Sequence, residues 1–180
     1  MNVRLIAGKF GRRQLDAPGR TSTHAMSERV RAALFNSLAD TVQDARVLDA
    51  FAGSGALGLE ALSRGASEAV FIEKDRIAAK IIAKNIENLG VEDRAKVIHA
   101  GVASWIETAD GGNFDLIFAD PPYHDPQFST VKKLFGLLKP GALMVLSHSG
   151  KGEVTIQDGI VVVDNRSYGN AHLTFFRREE

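Results

Sequence analysis

From residue 46 onward, short apolar runs and amphipathic helical stretches alternate along the chain, and few folds accept that pattern. VLDAF (47–51) reads as an apolar strand, followed by a glycine turn and a helix over about 56–64. AVFIE (69–73) is the next strand, and the period of 76–89 predicts a helix that stops at Gly90, a good C-terminal cap. KVIHA (96–100) and FDLIFAD (114–120) follow as strands, with a short helix around 103–108 between them. A helix near 127–138 is expected to end before Lys139-Pro140-Gly141, with ALMVLS (142–147) as a further strand. Two last strands, about 160–164 and 171–177, are joined through 166–170. Apolar strands separated by helices belong in a parallel sheet covered on both faces. The final pair has no helix between its strands and predicts an antiparallel hairpin at one edge. The expected class is α/β, a doubly wound, mostly parallel sheet with a C-terminal antiparallel hairpin.

The first 40 residues read differently. Residues 3–6 (VRLI) and 13–17 (RQLDA) look like short strands around the Gly8–Gly11 turn region, a small hairpin. Ser27 is a good N-cap for a helix to Leu38, with Val30, Leu34 and Leu38 on one face. We expect 1–40 to be a basic hairpin-and-helix extension within one compact domain whose core is 41–180. The chain of 180 residues has zero net charge, but residues 1–31 hold seven Lys and Arg against Asp16 and Glu28. That +5 arm, set against −5 in the other 149 residues, suggests a polyanionic partner. The absence of cysteine excludes disulfides and thiolate nucleophiles and fits a reducing cytoplasm. No secretory signal is expected at Met1–Phe10, and no apolar run approaches the ~20 residues of a membrane span.

The segment Asp49-Ala-Phe51-Ala-Gly53-Ser-Gly55-Ala-Leu-Gly58 joins the first core strand to its helix. In open parallel sheets such turns border the ligand, and glycines let the backbone approach it closely. Gly53, Gly55 and Gly58 also satisfy the dinucleotide pattern GxGxxG. Asp49 argues against a pyrophosphate there, because a carboxylate at the strand end suits a cationic amino-acid moiety and repels phosphate. Glu73, closing the next strand, stands where an acidic residue accepts hydrogen bonds from the ribose hydroxyls of a nucleoside cofactor.

The sharpest motif is Asp120-Pro121-Pro122-Tyr123, directly after the strand FDLIFA. Two prolines force the chain out of the sheet into a stiff loop and aim the Asp120 carboxylate and the Pro121 carbonyl at one point. Methylation of an exocyclic base amine needs such acceptors. The nitrogen lone pair is delocalised into the ring, and acceptors at its N–H groups return density to nitrogen for in-line attack on a sulfonium methyl. Tyr123 can stack on an extruded base, a contact worth about 1–3 kcal/mol. This chemistry requires positioning and no covalent nucleophile. Asp120 is thus a catalytic candidate that also borders the cofactor.

These motifs, with Arg4–Arg13, 23–36, LDAFAGSGALGLEALSRGA (48–66) and Tyr168-Gly169, resemble the RsmD family of bacterial 16S rRNA guanine-N2 methyltransferases along nearly the whole chain. The resemblance implies a class I methyltransferase (Rossmann-like) fold, S-adenosylmethionine as cofactor, and methyl transfer to the N2 amine of one guanine in 16S rRNA. It implies that Asp49, Phe51, Gly53, Gly55 and Glu73 hold the cofactor, that Asp120 and Tyr123 hold the guanine, and that Arg4, Lys9, Arg12, Arg13 and Arg29 contact phosphates. The partner would be 16S rRNA in a 30S subunit or an assembly intermediate, met by a cytoplasmic, monomeric enzyme. The chain departs from the pattern in two places. Ala25 stands where proline is frequent, and Gly101 stands where many methyltransferases bind the adenine amine with Asp or Asn, which leaves main-chain groups near Val102 for that role.

Other residues are read as structural. His24, His99, His124, His148 and His172 lack metal-ligand spacing, Trp105 fills core near the adenine pocket, and Lys132 and Lys133 are helix-surface charges. Two alternatives stay open: an adenine-N6 methyltransferase acting on DNA or RNA, and a non-catalytic RNA-binding protein with a methyltransferase fold.

Overall fold

The computed structural model describes residues 3–17, 26–152 and 154–180; Arg20, Thr23, His24 and Ala25 lie outside the described residues. Seven strands form one sheet: β3 (Arg46–Asp49), β4 (Glu68–Glu73), β5 (Ala95–His99), β6 (Phe114–Ala119), β7 (Leu138–His148), β8 (Ile160–Tyr168) and β9 (Ala171–Arg178). Their order is β5-β4-β3-β6-β7-β9-β8. The first five run parallel, and the β8–β9 hairpin adds antiparallel strands at one edge. This is the doubly wound sheet with an edge hairpin expected from the alternation of elements.

Helices cover both faces. α1 (Glu28–Leu38), α2 (Ala56–Ser63) and α3 (Arg76–Leu89) bury their apolar stripes in one cluster with Val47, Phe71, Phe118 and Val145. α4 (Val102–Ile106) and α5 (Phe128–Leu134) cover the other face around Leu48, Ile72, Ile117 and Met144. The alternation of Val47 and Leu48, or of Phe118 and Ile117, between the clusters is the two-residue period of a strand buried on both sides. Ser27 caps α1 through Val30 N–H, and Asp75 caps α3 through Ala78 N–H. Gly90 ends α3 in the left-handed region that a β-carbon disfavours, at φ 70°. Among the described residues no helix is long and apolar enough to cross a membrane.

Several boundaries differ from the sequence reading. The helix expected to 138 stops at Leu134, and a 3-10 turn, Phe135–Leu137, replaces its last turn. β7 then starts at Leu138, not residue 142, and runs through Pro140. A register shift against β6 between Phe114 and Leu116 accommodates the missing donor. Residues 166–168, expected in the connection, extend β8, because pairing with β9 continues to Tyr168↔Ala171.

The N-terminal hairpin pairs only two residues per strand, β1 (Val3–Arg4) with β2 (Gln14–Leu15). Its stability comes from docking. Leu5, Phe10 and Leu15 are buried in the first cluster, each side chain contributing about 1.5–3 kcal/mol when fully buried. Buried polar groups on α1, α2 and α3 complete the seat. Glu60 accepts from Ile6 N–H at 2.8 Å, Ala7 N–H at 3.1 Å and Arg64 Nε at 2.8 Å, while Arg31 donates to the Arg4 carbonyl. Ser63 receives Phe10 N–H and donates to the Ala7 carbonyl, and Asn85 brackets both backbone groups of Asp16. A β-carbon on Gly8 would lie 1.9 Å from the Ser63 carbonyl oxygen, so the hairpin crosses the end of α2 in backbone contact.

Candidate active site

β3 and β6 are hydrogen-bonded neighbours, and the strand order reverses between them. Ligands of open α/β sheets bind beyond the carboxyl ends of strands at such a reversal. Here both strands end in a carboxylate: Asp49 is the last residue of β3, and Asp120 follows the last residue of β6.

The Asp49 side chain is only 1% exposed. Its Oδ2 accepts Gly58 N–H at 3.0 Å and ties the start of α2 to the strand end. Its Oδ1 is buried with no hydrogen-bond partner among the described residues. Burial pushes the carboxyl up to about 8; the Gly58 bond opposes this, and repulsion from Asp120 and Glu73 adds to it. An orphaned acceptor on a buried carboxylate is costly, and a cationic group arriving there would satisfy it.

The glycine turn is shaped for close approach. Gly53 and Gly55 have φ of 56° and 78°, and space lies open where a Gly53 β-carbon would stand. Gly58 serves packing: a β-carbon there would lie 2.3 Å from the Phe71 ring. Glu73 holds the turn from β4, with Oε1 accepting Gly53 N–H at 2.8 Å and Oε2 accepting Asp75 N–H at 2.7 Å. A carboxylate offers about four lone-pair sites, so Glu73 retains acceptor capacity for hydroxyls. Phe51 is half-buried against the second cluster. Val102 is buried at the start of α4, and Trp105 packs partly buried on the same cluster.

In the loop after β6, Pro121 is buried, Pro122 and Tyr123 are half-buried, and Asp125 N–H closes a turn on the Pro122 carbonyl at 3.0 Å. Asp120 is pushed up to about 7 by burial, against a hydrogen bond from the Ser147 side chain. Tyr123 Oη lies 3.4 Å from Ser147 Oγ. Ser147 was read as the end of an apolar strand, and nothing in its local sequence marks it. Only the pairing of β7 with β6 brings it to the loop.

A family model described as conserved hypothetical protein 95 matches residues 3–177. The ribosomal RNA small subunit methyltransferase D of Escherichia coli is 40% identical over 121 residues, spanning 67% of this chain and 60% of the relative. The protein of that name from Haemophilus influenzae is 35% identical over 150 residues, 79% of this chain and 76% of the relative. The chain thus spans less than two thirds of the length of the first of these relatives. The solved structure of yhhF from Escherichia coli superposes with a TM-score of 0.89 at 33% identity, covering 99% of each chain. This chain belongs to the RsmD family.

The basic residues that the RsmD family resemblance assigned to phosphates occupy different ends of this protein. Arg4 is exposed and paired with Glu28 at 2.8 Å, and Arg29 is exposed on the first turn of α1. Lys9 donates its N–H to the carbonyl of Ser63, the last residue of α2, and Arg13 reaches the carbonyl of Asn88 near the end of α3. Both helices run away from the carboxyl edge of the sheet, so Lys9, Arg12 and Arg13 lie toward the end opposite Asp49 and Asp120. His124 is exposed, and Lys133 pairs with Glu107 on the surface.

Proposed function

We propose that this protein transfers a methyl group from S-adenosylmethionine to the N2 amine of one guanine in 16S rRNA, within a 30S subunit or an assembly intermediate, as a monomer. The observation that carries the reading is the pair of carboxylates at the switch point, the buried Asp49 facing the glycine turn and the half-buried Asp120 opening the Asp-Pro-Pro-Tyr loop. The names of the relatives above support the rRNA substrate.

The residues fit the cofactor. Asp49, with its unpartnered Oδ1, suits the ammonium of the methionine moiety; Glu73 suits the ribose hydroxyls; and Gly53 leaves room beside the turn. Phe51 and the main chain at Val102 would border the adenine. When bound, S-adenosylmethionine supplies a methyl on a sulfonium sulfur, and its transfer to nitrogen leaves a neutral thioether and one proton to be shed by the amine. The chain's own task is orientation. Asp120 in its ionised form accepts an N–H of the amine and favours a pyramidal, more nucleophilic nitrogen. The Tyr123 ring offers a stacking face to an extruded base. Rate comes from holding the partners in line and excluding water.

The test uses labelled S-adenosylmethionine with 30S particles from cells lacking an enzyme of this kind, and identifies the methylated nucleoside by mass spectrometry. N2-methylguanosine at one site, absent with Asp120→Ala, is the expected result. N6-methyladenosine would replace the substrate but keep the chemistry. RNA binding without any transfer would leave a binding protein that keeps the fold.

A further inference from the structure

Arg31, Glu60, Ser63 and Asn85, four of the buried polar side chains, bond to the N-terminal hairpin. Ser147 is also buried, at 3% exposure, but its hydroxyl lies 3.4 Å from Tyr123 Oη of the Asp-Pro-Pro-Tyr loop. The parallel register pairs Ala119 with Leu146, so Asp120 and Ser147 emerge side by side from adjacent strands. By strand alternation they share the sheet face of Phe118 and Val145. A serine hydroxyl has one proton and two lone pairs. With its proton given to Asp120, its contact with Tyr123 is one in which the tyrosine donates.

We propose that Ser147 is a positioning residue for the transfer, the middle of a chain Tyr123 O–H to Ser147 Oγ and Ser147 O–H to Asp120. The chain fixes one carboxylate oxygen and presents the other to an N–H of the acceptor amine. The inference rests on the methyltransferase reading.

An acceptor must be ionised, and the surroundings of Asp120 work against that. Burial raises its pKa, and the other carboxyls near it are Asp49 on β3 and, beyond that, Glu73 on β4. Tyr123 and Ser147 are the hydroxyls facing it from its own loop and from β7, and His148 points to the opposite face of β7. The Ser147 bond is the interaction that lowers the Asp120 pKa. Removing it therefore shifts the loss of activity on the acid side to higher pH.

The experiment compares kcat against pH for the wild-type chain, Ser147→Ala and Ser147→Thr at saturating cofactor and RNA. It also follows the carboxyl carbon of Asp120 by NMR titration without substrate. Ser147→Ala is expected to raise the Asp120 titration by about one unit, which is about tenfold in rate well below the midpoint. The deficit should fade toward pH 9, the cofactor KM should stay near the wild-type value, and Ser147→Thr should restore both profiles. An unmoved carboxyl titration, or a loss equal at every pH, overturns the proposal. If Ser147→Ala does not fold, Tyr123→Phe cuts the chain at its other end and should raise the titration by less; no movement there also overturns it. A wild-type chain that methylates nothing sinks the functional reading alone, since the titration still decides whether Ser147 holds Asp120.

Discussion

Glu60 and Asp49, the latter beside the half-buried Asp120, are carboxylates withdrawn from water in one protein, and their surroundings are opposite. Glu60 is fully buried in α2, yet two backbone N–H groups and Arg64 bond to it, with Arg31 Nε at 3.9 Å. Asp49 has one bond, one orphaned oxygen and a second carboxylate facing it. A buried charge surrounded by donors fastens structure, whereas one left short of donors is held ready for a ligand that supplies them. The hairpin dock and the strand-end site are therefore expected to fail in different ways.

The largest effect should come from the dock. Glu60→Ala leaves Arg31 buried without its counter-charge and strips two hairpin amides, and should cost about 3–5 kcal/mol of stability. Urea denaturation measures it directly. A loss below about 1 kcal/mol would mean that water or a rearranged Arg31 replaces the carboxylate, and the contrast with Asp49 would weaken. At the other site Asp120→Ala should lower kcat by about a hundredfold or more while leaving the denaturation midpoint near that of the wild type. Activity lost only in parallel with stability would erase the distinction.

The pH dependence sharpens the comparison further. A carboxyl whose folded pKa is raised binds more protons folded than unfolded across the interval between the two values. Asp49, ordinarily near 3.8 and raised to about 8, thus contributes stability that is complete below about 4 and lost as pH rises through 8. Its contribution has a slope of at most about 1.4 kcal/mol per pH unit. The ligand-free chain should be more stable at pH 5.5 than at pH 8, and Asp49→Asn should flatten that slope. Calorimetry in buffers of different ionisation enthalpy gives the complement: binding of S-adenosylmethionine at pH 7 should release protons as Asp49 ionises.

The same contrast explains what the sequence disclosed. The strand ends were legible because their chemistry is local. Asp49 with its glycines, and Asp120 with two prolines, each lie within a few residues and follow apolar runs whose period identifies strands. Glu60 is a single charge within the apolar helix ALGLEALS, and its meaning depends on amides 53 and 54 residues away. Ser147 gains its role from a contact with Tyr123, 24 residues away in sequence, that the pairing of β7 with β6 makes possible. The late start predicted for β7 has a similar origin, since Pro140 reads as a breaker until a register shift in its neighbour accommodates it.

The smallest expected effect concerns the exposed cations. Arg4 pairs with Glu28 in solvent, with about half of each side chain exposed. An exposed pair of this kind is worth about 0–1 kcal/mol, so Arg4→Ala should barely move stability. If Arg4 contacts phosphate, the same variant should weaken RNA binding and flatten its salt dependence by about one contact in the log–log slope. Lys9, Arg12 and Arg13 supply the internal comparison, because their turn lies by Ser63 at the far end of α2. If the RNA is engaged only around the carboxyl edge, their combined replacement by alanine should leave the slope unchanged. A slope reduced by about three would mean that the RNA reaches down the docked hairpin. The buried seat built by Glu60, Ser63 and Asn85 would then hold a rigid phosphate-binding surface at a fixed distance from Asp120, joining the two regions in recognition of one substrate.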